Sequence, residues 1–281
     1  MTNGISIAIL TKNGGATFLD VLASIRNQEC PVPYRLVILD SGSRDGTPEA
    51  ARKAGAVIHT IPPEDFSFGE SRDLLFSRCE GEIIATLSQD AVPQGPRWLE
   101  RLTAPIREGR ADVVQGVEEP DGKRFYWERI GRFYTTSEWR PFLKRYGQGL
   151  SGVNLAVARS SWEATGFGPI PMCCDKLFQK RVAEAGLRVV VCPEASVMHG
   201  HEYDTRTLFK RCANEGMALR HLGFTIKPWA SARDMLSPAN HRAAFRGLAR
   251  GQVRSPAELF FPILRPLGIW YGNRFLSGFW R

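Results

Sequence analysis

In the first half of the chain, short apolar runs alternate with amphipathic stretches. Residues 5–10, 36–39 and 82–86 carry apolar side chains without the alternation of a half-exposed strand, so each predicts a strand buried on both faces. Residues 57–61 predict another. Between them lie helical patterns: one carries Phe18, Leu19, Leu22 and Ile25, one runs over 48–54 with Thr47 as N-cap and Pro48 in its first turn, and one covers 71–79. Strand and helix in alternation predict an α/β architecture, a Rossmann-like, mostly parallel sheet with helices on both faces.

Three of these strands empty into polar clusters. Thr11-Lys12-Asn13-Gly14-Gly15 follows the first, Asp40-Ser41-Gly42-Ser43-Arg44-Asp45-Gly46-Thr47 the second, and Leu87-Ser88-Gln89-Asp90-Ala91-Val92-Pro93 the fourth. A carboxylate at a strand's C-terminal end sits where open α/β sheets bind ligands. Such a residue also serves as a helix cap, and for Asp90 the following Pro93, Pro96 and Trp98 leave that reading open. Three clusters on one sheet edge favour a ligand site.

Beyond a helix carrying Trp98, Leu99 and Leu102 and a strand over 113–117, the segment 125–146 interleaves aromatic residues with Lys and Arg. It reads as an amphipathic packing element, as an acceptor-binding wall for sugars or lipid head groups, or as a surface for single-stranded nucleic acid. A strand over 151–157 and a capped short helix at 160–163 follow. Cys174-Asp175-Lys176 opens a helix closed by Gly186, where Asp175 is either a dipole partner or a functional carboxylate. A strand over 188–192 and an extended stretch ending in His199 and His201 precede a helix over 205–222. The remainder, 225–281, is basic, proline-punctuated and aromatic, which fits a helix lying in a lipid interface or one packed on its own domain.

Composition narrows this only a little. At 281 residues, 43% hydrophobic and 23% charged, the chain is an ordinary globular protein, and its +8 charge admits nucleic acid, an anionic membrane or a phosphorylated substrate as partner. Cys173 and Cys174 are adjacent and no CxxC pair occurs, so reduced thiols and a cytoplasmic setting are expected. No signal core precedes the first strand, and no apolar run approaches the ~20 residues of a membrane span.

Taken together, Ile7 to Asn13, Asp40 to Thr47, Ser71-Arg72-Asp73, Leu87 to Pro93, and Cys174-Asp175-Lys176 followed by Gly186 and His199 resemble the ordered signatures of the family 2 inverting glycosyltransferases. The wording Ser-Gln-Asp-Ala-Val-Pro is most similar to the rhamnosyltransferase branch. The resemblance implies a glycosyltransferase-A fold over 1–224, with a nucleotide-binding half to about 117, an acceptor half over 118–224, and a helical appendage over 225–281. It implies that Thr11, Asn13, Asp40, Ser41, Arg72, Ser88, Gln89 and Asp90 surround the nucleotide-sugar donor, with Asp40 on the pyrimidine or ribose. It further implies that Asp90 and His199 hold a divalent cation, Mg²⁺ or Mn²⁺, and that Asp175 is the catalytic base. Asp73 stands where Asn is usual, Ser88 replaces the first carboxylate of the Asp-x-Asp metal motif, and Cys174 replaces a Glu. Trp127, Tyr134, Trp139, Asn154 and His201 are the candidate acceptor contacts.

The implied partners are a dTDP- or UDP-activated sugar, a glycan or lipid-linked glycan acceptor, and the inner membrane face through the tail, without nucleic acid. Two other readings stand beside this one: a glycosyltransferase-like protein that has lost catalysis and binds or scaffolds, and a sugar nucleotidyltransferase. For the latter, Thr11-Lys12-Asn13-Gly14-Gly15 is a poor version of the glycine-rich loop.

Overall fold

The computed structural model describes residues 2–120, 122, 124–133, 139–147 and 149–280. Contacts divide them into two units: one of 1–119, 149–170 and 174–199, the other of 120–148, 171–173 and 200–281.

The first unit is an eight-stranded sheet with helices. In chain order it runs β1 (Thr2–Thr11), α1 (Gly15–Arg26), β2 (Tyr34–Asp40), α2 (Thr47–Lys53), β3 (Val57–Thr60), α3 (Phe68–Ser77), β4 (Gly81–Ser88), β5 (Val92–Pro93), α4 (Trp98–Arg107) and β6 (Val113–Glu119). The second unit contributes α5 (Tyr126–Arg129) and α6 (Arg140–Tyr146), and the chain returns to the first for β7 (Asn154–Ala158), α7 (Arg159–Thr165), α8 (Cys174–Glu184) and β8 (Val189–Met198). The strand order is β3-β2-β1-β4-β7-β6-β8-β5. β1 pairs in parallel with β2 and β4, and β2 with β3, so the ends of β1, β2 and β4 share one edge as expected. The parallel run stops at β7, which lies antiparallel between β4 and β6.

The core beneath the sheet joins Ile7, Ile9, Ile38, Ala85 and Leu87 to Phe18 and Leu22 of α1 and to Trp98 and Leu102 of α4. Pro105 leaves the carbonyl of Arg101 without its helical donor, and the thiol of Cys192 on β8 lies 3.5 Å from it. Thr47 does not cap α2: Gly46, at φ 83°, holds that position, and the Thr47 hydroxyl bonds Asp45 at 2.6 Å instead. β8 is one strand where the sequence suggests two segments, because its pairing with β6 slips between Cys192 and Ser196 around Pro193.

The second unit ends in α9 (Thr205–His221), α10 (Pro228–Met235), α11 (Pro238–Ala249) and α12 (Pro256–Phe275). α9 and α12 meet at bare backbone. A Cβ on Gly272 would stand 1.7 Å from the carbonyl oxygen of Ala213, and one on Gly216 would stand 1.9 Å from that of Ile269. Beside this seam the wholly buried Arg265 bonds Glu215 at 2.9 Å, with its guanidinium 4.7 Å from the centroid of Phe133. Gly272→Ala therefore should lower stability by about 1–3 kcal/mol in denaturant titration, since neither backbone can yield alone. Gly278→Ala, which meets nothing within 4 Å, serves as the control and should change little.

Trp127 is among the wholly buried side chains of this unit. Pro262 inside α12 has no N–H for the carbonyl of Glu258, and the Trp127 indole donates to that carbonyl at 2.6 Å while stacking on Phe261. Trp139 is 4% exposed and packs edge-on against Phe142. Both belong to the core, which corrects the expectation of an acceptor wall at these two positions. Tyr134 lies outside the described residues.

Candidate functional site

Three strand-end loops are laced together at the edge formed by β1, β2 and β4. The backbone N–H of Lys12 donates to the Gln89 side chain at 2.9 Å, and the Gln89 amide donates back to the Lys12 carbonyl at 3.2 Å. Asn13, at φ 48°, gives its N–H to the Ser43 hydroxyl and accepts from the N–H of Arg44. Gly14 and Gly15 donate to Thr47 and Asp45.

Asp40 holds this lattice from below. Its carboxylate accepts from Thr11 Oγ1 (2.8 Å), Ser43 Oγ (2.5 Å) and the N–H groups of Gly42 and Ser43 (3.0 and 2.8 Å). Ser41 closes the β1–β2 edge by bonding the Thr11 carbonyl through its N–H and its hydroxyl. Thr11, Asp40 and Ser41 are each 2% exposed, so they shape the loop rather than present free groups to a base or ribose. Asn13 is exposed and Gln89 and Ser88 are partly so; these reach the surface of the cradle.

Asp90 lies just beyond β4, in a turn where the N–H of Ala91 bonds the Ser88 carbonyl. His199 follows β8 and is pinned by its own N–H on the Glu119 carbonyl. Its Nε2 lies 3.4 Å from Asp90 and its Nδ1 lies 3.0 Å from Glu118, at the end of β6. Burial alone would push the imidazole down; the hydrogen bonds it donates to the Asp90 and Glu118 carboxylates outweigh that and raise His199 to about 9. For Glu118, burial pushes upward, but the hydrogen bond from His199 prevails and holds it below the usual carboxylate range.

The metal-free protein should accordingly lose stability as pH rises. A pKa raised on folding stabilises fully below the free-histidine value near 6.5, and the contribution disappears as pH climbs through about 9. Unfolding free energy of chelator-treated protein should fall by up to about 3 kcal/mol across that window, and His199→Gln should flatten the slope.

Arg72 on α3 points into the sheet, not outward. Its Nη1 donates to Thr86 Oγ1 and to the Gly152 carbonyl, each at 2.9 Å, and the guanidinium covers Phe167. Its buried Nε has no hydrogen-bond partner among the described residues. Asp73 turns the other way, accepting at 2.8 Å from the Trp162 indole and the N–H groups of Phe167 and Gly168. Phe167 then stacks on Phe178 of α8, at a centroid separation of 4.6 Å. The Asp that replaces the usual Asn thus anchors the segment leading to α8.

Asp175 stands in the first turn of α8 and is partly exposed. Its Oδ1 accepts from the N–H of Lys176 at 3.0 Å, and its Oδ2 lies 3.4 Å from the Lys176 ammonium, which also bonds the Leu150 carbonyl. The same ammonium and the Ser151 hydroxyl help hold Glu118 ionised. Asp90, His199, Glu118 and Asp175 therefore belong to one connected neighbourhood of the first unit. Burial raises the thiol of Cys174, which stands where a Glu is common, to about 11, so it adds no negative charge beside Asp175.

Sequence reading missed Glu118 and Lys176. Glu118 ends an apolar strand just as Asp90 does, and that signal was available. Asn154 is corrected: it is fully buried, accepting from the Trp98 indole at 3.0 Å and donating to the Ala195 carbonyl at 2.8 Å, so it ties β7 to its neighbours. In the second unit, His201 places Nδ1 3.1 Å from Glu128 and stacks on Tyr203.

An imidazole whose far nitrogen rests on a carboxylate, facing a second carboxylate, is a donor set suited to a divalent cation. With so few protein donors such an ion leaves positions for phosphate oxygens, and a nitrogen ligand suits Mn²⁺ at least as well as Mg²⁺.

Comparison with known proteins identifies the family. The family model described as "Glycosyl transferase family 2" matches residues 6–161, more than half of the chain. The O-antigen chain rhamnosyltransferase RfbN of Salmonella typhimurium is 25% identical over 76% of this chain and 71% of its own length. WbaN of Salmonella anatum, also an O-antigen chain rhamnosyltransferase, is 29% identical over 66% of this chain and 62% of its own. Among solved structures, a mannosyltransferase from Pyrobaculum calidifontis in complex with GDP-Man and Mn²⁺ superposes with a TM-score of 0.64 at 15% identity, covering 97% of this chain and 87% of that one. Glucosyl-3-phosphoglycerate synthase from Mycobacterium tuberculosis, in complex with Mn²⁺, UDP and glucosyl-3-phosphoglycerate, gives 0.59 at 22% identity, covering 78% of each. The sheet order, the edge of laced loops and these matches lead to one conclusion: the chain is a glycosyltransferase of glycosyl transferase family 2, with the glycosyltransferase-A fold and relatives in the rhamnosyltransferase branch.

Proposed function

We propose that this glycosyltransferase moves a sugar, rhamnose by the analogy of its relatives, from a pyrimidine nucleotide diphosphate donor to a glycan on a lipid carrier, with inversion at the anomeric carbon. The observation that carries the reading is His199 set between Asp90 and Glu118 beside the laced strand ends. Asp90 and His199 would hold the divalent cation, and when bound it would supply positive charge for the departing diphosphate.

The chain's own residues do the rest. Asn13 and Gln89 fix the cradle's rim, while Asp40, through Ser43, fixes its floor. Glu118 orients the imidazole and keeps its Nε2 toward Asp90. Arg72 brings a fixed positive charge beneath the cradle, next to Thr86. Asp175, held by Lys176, takes the proton of the acceptor hydroxyl as that oxygen attacks the sugar from the face opposite the leaving group. A single displacement inverts the configuration.

The 1–224 and 225–281 boundaries remain our proposed division into catalytic domain and appendage. We place the reaction at the cytoplasmic membrane face, where a lipid-linked acceptor would be met; no helix among the described residues is long and apolar enough to cross a membrane. Incubation with dTDP-rhamnose, UDP-glucose or GDP-mannose and a lipid-linked acceptor, with product anomers read by NMR, tests the reading. We expect one sugar to transfer with inverted configuration. A retained anomer would overturn the displacement mechanism.

A further inference from the structure

We propose that the outward faces of α10, α11 and α12 form a docking surface for an anionic lipid bilayer. This deepens the membrane-face reading above and does not depend on the transfer chemistry. Residues 225–281 hold nine Lys and Arg against two acids, a net +7 of the chain's +8. One of the two acids, Glu258, is buried and occupied by backbone donors of Tyr126 and Arg254. Hence most of the chain's excess of positive charge falls in this segment; Arg265 is spent on the buried Glu215, while Arg233 on α10 and Arg242 and Arg246 on α11 stand exposed.

Apolar side chains share the same exposed stripes. On α10, Ser231 faces inward and bonds the Pro266 carbonyl of α12, whereas Trp229, Arg233 and the C-capping Leu236 recur at helical spacing and are exposed, Trp229 by 68% and Leu236 by 75%. On α11, Ala244 and Gly247 are buried, with Gly247 closed against Tyr126; the side away from them presents Arg242, Phe245 and Arg246, and Leu248 is exposed at its flank. α12 seats Gly268 and Gly272 on α9 and leaves Phe260 and Ile263 exposed.

A solvent-facing stripe of a soluble helix is ordinarily polar throughout. Arg alternating with Trp, Phe and Leu is instead the chemistry of an interfacial helix: cations at the phosphates, apolar tips among the acyl chains. Leu236, Leu248 and Ile263 have nothing to stack on a nucleobase, which favours lipid over nucleic acid. The last residues do not carry the surface alone, since α12 is built into the unit through its glycine face, and cutting it away would unseat α9.

The test is co-sedimentation of the full chain with vesicles of phosphatidylcholine, with and without phosphatidylglycerol. We expect binding to the anionic vesicles, weakened by salt, and little to neutral ones. Trp229→Ala with Phe245→Ala, and separately Arg242→Gln with Arg246→Gln, should each weaken it about tenfold or more. Both double variants should keep the parent's melting temperature and nucleotide-induced stabilisation, which separates loss of docking from loss of fold or of the donor site. Wild-type protein left in the supernatant would overturn the proposal. So would vesicle binding untouched by either pair, or a self-associated dimer in gel filtration that the aromatic pair abolishes while vesicles are ignored.

Discussion

Asp175→Asn should lose about 10²- to 10⁴-fold in turnover while nucleotide affinity stays near that of the parent. The amide keeps the size of the carboxylate and can still accept the N–H of Lys176 through its oxygen, so α8 should start as before. What disappears is the proposed proton acceptor. The substitution also breaks the 3.4 Å contact with the Lys176 ammonium, and Lys176→Gln separates the two effects. The lysine variant removes the ion pair but leaves a carboxylate, so it should lose far less. Steady-state kinetics with thermal unfolding in nucleotide reads both, and near-normal turnover in Asp175→Asn would remove this residue from the mechanism.

The second large effect is expected at Asp90. Asp90→Ala leaves His199 with Glu118 as its only carboxylate partner of the two and takes away the anionic half of the proposed cation site. Nucleotide binding in Mn²⁺ should weaken by at least about 100-fold, whereas binding in chelator should hardly change, so the metal-dependent difference vanishes. Glu118→Gln should weaken the same difference by about 10- to 100-fold, as expected of a residue that orients a ligand without being one. Isothermal titration with and without Mn²⁺ measures both. Equal loss in chelator would mean that Asp90 supports the fold of the loop instead.

The parallel half of the fold was legible because β2 and β4 are apolar on both faces and end in polar clusters. The direction of β7 was not legible, since a buried strand has the same pattern whichever way it runs. β5 was missed because it is two residues long and contains Pro93, which a pattern reading takes as a turn. The aromatic interleaving of 125–146 had three physical explanations, and the indole of Trp127 shows why packing claimed that residue: a proline one helix away leaves a carbonyl that needs a donor.

At the site, residue types were easier to read than their assignments. Thr11, Asp40 and Ser41 were found at the right strand ends, but a sequence cannot say that Asp40 has four donors of its own. Glu118 went unnoticed because its partner, His199, is far away in sequence and adjacent only through the parallel pairing of β6 with β8. Asp73 looked like a defect in a motif; in space it anchors the strand of chain that stacks Phe167 on Phe178.

A donor site completed by a cation would show itself in thermal unfolding. The purified chain would be melted with dTDP, UDP or GDP, each in Mg²⁺, in Mn²⁺ or in chelator. At 100 times the dissociation constant a ligand adds about 2.7 kcal/mol, or roughly 5 to 10 °C for a domain of this size. Such a shift is expected with one pyrimidine nucleotide, present with the cation and absent in chelator and in Asp90→Ala. A folded protein that shifts with no nucleotide, or equally with and without the cation, would contradict it.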